Sequence, residues 1–121
     1  MENHNQFKKH NYLNLETYRK NGEGVRTPVW FVEYENSLFV ITLKNSWKVK
    51  RIRRNRTVRV AACRMNGRVI GQWQRASAQE IDDDYVIEKI DHLYRKKYGF
   101  LNTLYEKQRV KNGSQRTILE I

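Results

Sequence analysis

Residues 25–43 read VRTPVWFVEYENSLFVITL. Two runs rich in Val, Ile, Phe and Trp flank Glu35-Asn36, a two-residue connection of the kind that closes a β-hairpin. The aromatic and branched residues are nearly continuous rather than alternating with polar ones, which predicts strands buried on both faces. Pro28 sits inside the first run. It cannot donate to a sheet ladder, so it marks an edge, a bulge, or a place where something other than a strand meets the backbone.

Upstream, YLNLETYR (12–19) sets Leu13, Leu15 and Thr17 on one face of a strand, and KNGEG (20–24) supplies a turn. Residues 1–11 form a polar lead-in, frayed or helical, so residues 12–121 are expected to make a single domain. Downstream, NSWKVKRIRRNRTVRV (45–60) holds seven Lys or Arg in sixteen positions. Its punctuation divides it. Ser46 is a good N-cap, Val49 and Ile52 share a face of a short helix, and Asn55 is expected as the left-handed residue that closes it. TVRVAACR (57–64) then reads as a strand, joined through Asn66-Gly67 to VIGQWQRASAQEI (69–81).

Beyond Ile81 the period becomes helical. Asp82 to Asp84 suit a helix start, Arg95 to Lys97 its end, and Gly99 the residue after it. Val86, Ile90, Leu93 and Tyr94 form the apolar stripe. A second helix is expected over Leu101–Val110, and Asn112-Gly113 turns the chain into a last strand, QRTILEI (115–121). The pattern predicts a mainly β fold: a small antiparallel barrel of six or so strands. A short helix follows the third strand and two helices precede the last.

At 121 residues the chain has room for one core. Three Trp, seven Tyr and four Phe exclude a disordered chain, which is poor in aromatics. The formal charge of +11 favours anionic partners and says nothing about fold. The lone Cys63 permits no intrachain disulfide, and no stretch reaches the ~20 apolar residues of a membrane span. With no apolar run in MENHNQFKKH, a cytoplasmic location is expected.

Catalytic candidates are scarce. His4, His10 and His92 lie far apart, Cys63 has no partner thiol, and no metal site or catalytic residue can be named. Chemistry, if any, falls to a cofactor. Arg26 to Phe31 would offer backbone groups to a flat heteroaromatic ligand. A helix opening at Ser46, with Lys48 and Arg51 on one face, suits a phosphate.

The ordered set of Thr27 to Phe31, Thr42, Ser46 with Lys48 to Arg53, and Thr57 to Cys63 resembles the pyridoxamine 5'-phosphate oxidase-like family. It is most similar to the branch of small flavin- and deazaflavin-dependent oxidoreductases. YGFLNTLYEKQRV (98–110) and TILEI (117–121) extend the similarity across residues 12–121. The resemblance implies a split β-barrel homodimer, FMN-binding-like, with FMN as the favoured cofactor at the dimer interface. A deazaflavin coenzyme and haem are the alternatives. Arg26, Thr27, Pro28, Val29 and Trp30 would contact the ring system. Thr42, Ser46, Lys48 and Arg51 would hold the phosphate region, and Trp47 would contact the flavin or pack in the core or the dimer interface. Gln72 and Gln74 would reach the partner chain's cofactor.

Three departures argue against pyridoxamine phosphate as substrate. Trp47-Lys48 stands where the oxidases carry Arg-Lys, Phe31 replaces a Lys, and Arg75 replaces a Gly. Two rivals remain: a non-catalytic flavin- or haem-binding protein, and a basic barrel that binds nucleic acid. The second would show aromatics interleaved with basic residues on an open sheet face. Lys50, Arg53, Arg54 and Arg56 are expected to be solvated charge or to widen the electrostatic funnel toward an anionic ligand.

Overall fold

The structure, a computed structural model, describes residues 5–121. Residues 1–4 of the expected lead-in, His4 among them, lie outside the described residues. Eight strands form two four-stranded antiparallel sheets. The first sheet runs in the order β2 (Gly24–Val29), β1 (Tyr12–Tyr18), β5 (Thr57–Cys63), β6 (Gln74–Ser77). The second runs β3 (Val32–Tyr34), β4 (Ser37–Leu43), β8 (Arg116–Glu120), β7 (Gln79–Ile81). Helix α1 (Trp47–Arg54) links β4 to β5, while α2 (Asp84–Tyr98) and α3 (Phe100–Lys111) precede β8.

Two of the expected strands each divide between the sheets. The run 25–34 breaks at Trp30-Phe31 into β2 and β3; of the run 69–81, residues 69–73 lie outside the strands apart from one isolated Cys63–Val69 bridge, and the rest breaks at the fully buried Ala78 into β6 and β7. Such corners let two sheets close around one core. Leu13, Leu15, Leu38, Val40, Val58, Val60 and Leu119 fill it, and Val49 and Ile52 of α1 pack into it as their spacing predicts. Phe7, from a 3-10 turn at Asn5–Phe7, also enters, with its ring edge-on to Phe31 at 5.7 Å. Helix α2 covers the other face of the second sheet, where Ile90 and Tyr94 meet Val32, Phe39 and Ile118. Both faces of β4 are therefore buried, which is why its sequence does not alternate.

Local chemistry accounts for most boundaries. Glu35 and Asn36 both take positive φ, 47° and 65°, as a primed two-residue hairpin turn requires. Pro28 lies on the edge strand β2, where its missing N–H breaks no ladder bond to a further strand. Asp83 caps α2 by accepting the Val86 N–H at 3.2 Å, and Gly99, at φ 55°, makes the corner into α3. Asn55 departs from expectation. Its backbone is extended (φ −139°), because the helix runs straight into β5, and its Oδ1 accepts the Thr57 N–H at 3.1 Å. No helix among the described residues is long and apolar enough to cross a membrane.

The corner at Trp30-Phe31 strands backbone polar groups, and α2 supplies their partners. The Tyr94 hydroxyl donates to the Trp30 carbonyl (2.8 Å) and accepts the Ile41 N–H (2.9 Å). The Tyr98 hydroxyl accepts the Phe31 N–H (2.9 Å) and lies 2.8 Å from the carbonyls of Asn11 and Phe31. Lys97 Nζ donates to Phe31 O at 2.9 Å, and burial pulls its pKa down to about 8. On the outer face of the first sheet, Glu16 accepts from Arg59 Nε (2.6 Å), Arg26 Nε (2.8 Å) and the Tyr18 hydroxyl (2.6 Å).

Replacing Tyr94 with Phe should cost about 2 kcal/mol or more, because buried groups left unpaired cost ~1–3 kcal/mol each. Tyr85→Phe, on the exposed side of the same helix, should shift denaturant-induced unfolding by less than ~0.5 kcal/mol. Equal effects would mean that the corner does not depend on the Tyr94 hydroxyl. The Arg59 hydrogen bond, with those from Tyr18 and Arg26, holds the Glu16 carboxyl down to about 2 against burial. That stabilisation is present above its unfolded pKa and is lost as pH falls from about 4.5 to 2. Its size is up to about 3 kcal/mol. The stability gap between wild type and Glu16→Gln should therefore shrink over that window in unfolding titrations.

Candidate functional site

A cleft of about 300 Å³ opens where β2 leaves the first sheet. Thr27, Pro28, Val29 and Trp30 form one wall, and Ile41 and Thr42 of β4 form the back. Tyr94 of α2 and Asn102, Tyr105 and Glu106 of α3 close the helical side, with Tyr12 of β1 at the end of the strand wall. The lining is mostly apolar, with a few polar tips, as in most small-molecule sites. Trp30 is fixed by stacking on Tyr98, with centroids 4.3 Å apart and planes 8° from parallel. Tyr105 tilts against Trp30 at 6.4 Å.

Lys48, from the first turn of α1, is the cation of this cleft. Burial, and then the charge of Arg51, pull its ammonium below the ordinary lysine range. Among the described residues no carboxylate forms an ion pair with it. Glu106, the one acid in the lining, is held by Arg109 at 2.8 Å and lies 3.6 Å from Arg116. A half-buried ammonium with no counter-charge fits an anionic group on a ligand. Burial also raises the pKa of Tyr94 and Tyr105, so neither is tuned to move a proton near neutrality. Cys63 lies in the buried strand β5 with its thiol pushed up to about 11, which makes it a packing residue rather than a nucleophile.

Six of the expected site residues thus line one cleft: Thr27, Pro28, Val29, Trp30, Thr42 and Lys48. The others lie elsewhere. Arg26 points to the opposite face of the first sheet, bonded to Glu16. Ser46 has helix-entry geometry, but its Oγ makes no capping bond and is buried without a hydrogen-bond partner. Trp47 and Arg51 line a separate groove on the solvent side of α1. Gln72 is exposed, with its backbone held on both sides by the Gln6 amide (3.1 and 2.7 Å), and Gln74 begins β6.

The backbone at Trp30-Phe31 also differs from expectation. The Trp30 carbonyl is bonded to Tyr94, and the Phe31 N–H and carbonyl to Tyr98 and Lys97, so these three groups are already engaged within the fold. The helical residues of the lining were not foreseen. Tyr94 reads as one more member of an apolar stripe. Asn102 is one polar residue among several on α3, and only the fold reveals that it is buried.

No protein-family model and no curated protein matches the sequence. Solved structures do. A Listeria innocua protein named for pyridoxamine 5'-phosphate oxidase superposes with a TM-score of 0.68 at 15% identity, over 95% of this chain and 85% of that one. The haem storage protein HutZ of Vibrio cholerae gives 0.68 at 13%, over 93% and 80%. A NimC/NimA family protein of Clostridium acetobutylicum gives 0.64 at 19%, over 95% and 76%. At these identities the likeness establishes architecture: two sheets sharing strands at their corners, with the helices packed outside. The chain has the split β-barrel fold of pyridoxamine 5'-phosphate oxidase-like proteins.

Proposed function

We propose that this protein binds a flavin-type nucleotide in the Trp30–Lys48 cleft and acts, as a homodimer, as a small oxidoreductase. FMN is the favoured cofactor and a deazaflavin coenzyme the second choice. The observation that carries the reading is the unpaired Lys48 ammonium beside the apolar wall of Pro28, Val29 and Trp30. A flat ring would lie against that wall, Lys48 would pair with the phosphate, and the Thr42 hydroxyl would add a hydrogen bond. The bound ring would supply hydride or electron transfer. The protein's part is to orient it and exclude water.

Haem is less well served. None of the described residues lining the cleft is a His, Cys or Met, which leaves only tyrosines among the usual axial ligands. A nucleic-acid platform on a sheet face is also disfavoured, since the aromatic Phe39 of β4 is buried beneath α2.

The cleft's size supports a dimer. At about 300 Å³ it stands at the low end of ligand pockets, which span ~300–1,000 Å³, so a whole nucleotide needs further walls. Strand β6 is, with β2, one of the two edge strands of the first sheet, and we assign Gln72 and Gln74 to the partner protomer's cofactor.

Reconstitution with FMN, a deazaflavin coenzyme or haem, followed by calorimetry and absorbance, tests this reading. FMN should bind, and Lys48→Ala should weaken it by ~1.5–3 kcal/mol, roughly 10- to 150-fold. Sedimentation should give twice the 14.7 kDa chain mass. A chain that takes up none of the three sinks the proposal. Unchanged affinity in Lys48→Ala moves the phosphate elsewhere.

A further inference from the structure

On α1, Trp47, Lys50, Arg51 and Arg54 recur at three- and four-residue spacing and share one face, turned away from the core residues Val49 and Ile52. With Arg19 and Lys20, which follow the β1 strand, Trp47, Arg51 and Arg54 of this face wall a groove of about 380 Å³. Two of the cations are fixed in place. Arg51 Nε donates to Thr17 Oγ1 at 2.7 Å, and Arg54 donates to the Tyr18 carbonyl at 2.6 Å. Neither partner is an acid, so neither charge is neutralised. Arg19 alone has a carboxylate, Glu23 at 3.0 Å. The indole of Trp47 is 71% exposed and does not enter the core, and the Lys50 ammonium sits 4.5 Å from its ring centroid.

We propose that this groove is a second binding site, distinct from the Lys48 cleft, for the phosphate-and-ring unit of a nucleotide. Either a free nucleotide or one residue of a single strand supplies that unit. The phosphate sits between Arg51, Arg54 and Lys20, and the base stacks on Trp47. Stacking on an exposed aromatic beside a cationic track is how single strands are held without sequence preference. Carboxylates would answer the charges equally well but would leave the indole in water. A lipid surface would need apolar neighbours for Trp47, whereas every other lining residue of the groove is cationic. Mutual repulsion accords with this. Burial, then Arg19 and Arg54, lower the pKa of Arg51, as expected of a cluster that lacks its counter-ion.

Fluorescence anisotropy with a labelled oligothymidylate of about 12 nucleotides, within the ~4–16-nucleotide span of single-strand sites, tests the proposal on the full chain. AMP and inorganic phosphate serve as competitors, and phosphatidylglycerol vesicles as a separate probe. Wild type should bind, with affinity falling as salt rises. Trp47→Ala, at a solvent-exposed position, should weaken binding ~5- to 150-fold. Lys20→Gln should reduce the log–log salt slope by up to ~0.7, the value for one single-strand phosphate no longer neutralised. Displacement by AMP at matching nucleotide concentration identifies a free nucleotide as the ligand. Displacement only by unlabelled strand identifies nucleic acid. Oligonucleotide affinity unchanged in Trp47→Ala overturns the proposal, as does binding to the vesicles alone.

Discussion

The fold turns on the interruption at Trp30-Phe31. A strand that passes from one sheet to the other must leave both ladders for a step, and the backbone groups freed there are too enclosed to be left to water. Tyr94 and Tyr98 meet that requirement with two hydroxyls, each acting as both donor and acceptor. The corner thereby ties three elements together: the strand, the neighbouring β4 at Ile41, and helix α2. It also fixes the cleft. Trp30 lies against Tyr98 because Tyr98 is bonded to the next residue, and the wall that begins at Thr27 ends where the strand bends.

Charge is sorted around this frame by burial. Glu16 is enclosed on the outer face of the first sheet and would be costly there alone, but Arg26 and Arg59 hold it from either side. Both guanidiniums also lie over the Trp73 ring, at 4.8 and 5.0 Å. Arg53 forks onto Glu80 at 2.6 and 3.0 Å, joining α1 to β7. Arg116 bridges β8 to Asp91 of α2 at 2.5 Å. These cations are structural, and each has a named acid. A functional reading belongs to those that do not.

Much of this was legible in the residues. Asn36 tolerates the left-handed backbone of a tight turn, Asp83 and Gly99 delimit α2, and the 49/52 spacing places α1 on the core. What escaped reading has a common cause. The break after Trp30 is invisible because β2 and β3 are apolar for different reasons, one facing the barrel interior and the other facing α2. Its stabilising hydroxyls lie more than sixty residues away. Arg26 shares a strand with Thr27, and strand alternation sends the two to opposite faces. Only the cross-strand pairing of Arg26 with Glu16 and Thr27 with Leu15 reveals which of them faces inward. Phe7 is a single apolar residue among polar ones, so no period announces its place beside Phe31.

Helix α1 brings these threads to one element. Val49 and Ile52 fill the core, Lys48 stands at the edge beside the cleft, and Arg53 reaches to Glu80 on the flank. The remaining face has Trp47, Lys50, Arg51 and Arg54 with no acid among their partners. Surface repulsion of that kind is tolerated at a cost to the compact state, and a solubilising charge would serve as well if spread apart. Concentrating it around an exposed indole, and bonding two of the guanidiniums to Thr17 and Tyr18 so that they cannot swing away, serves recognition better than solubility. The helix thus carries the cations of both proposed sites, Lys48 for the cofactor cleft and Arg51 and Arg54 for the groove beside Trp47.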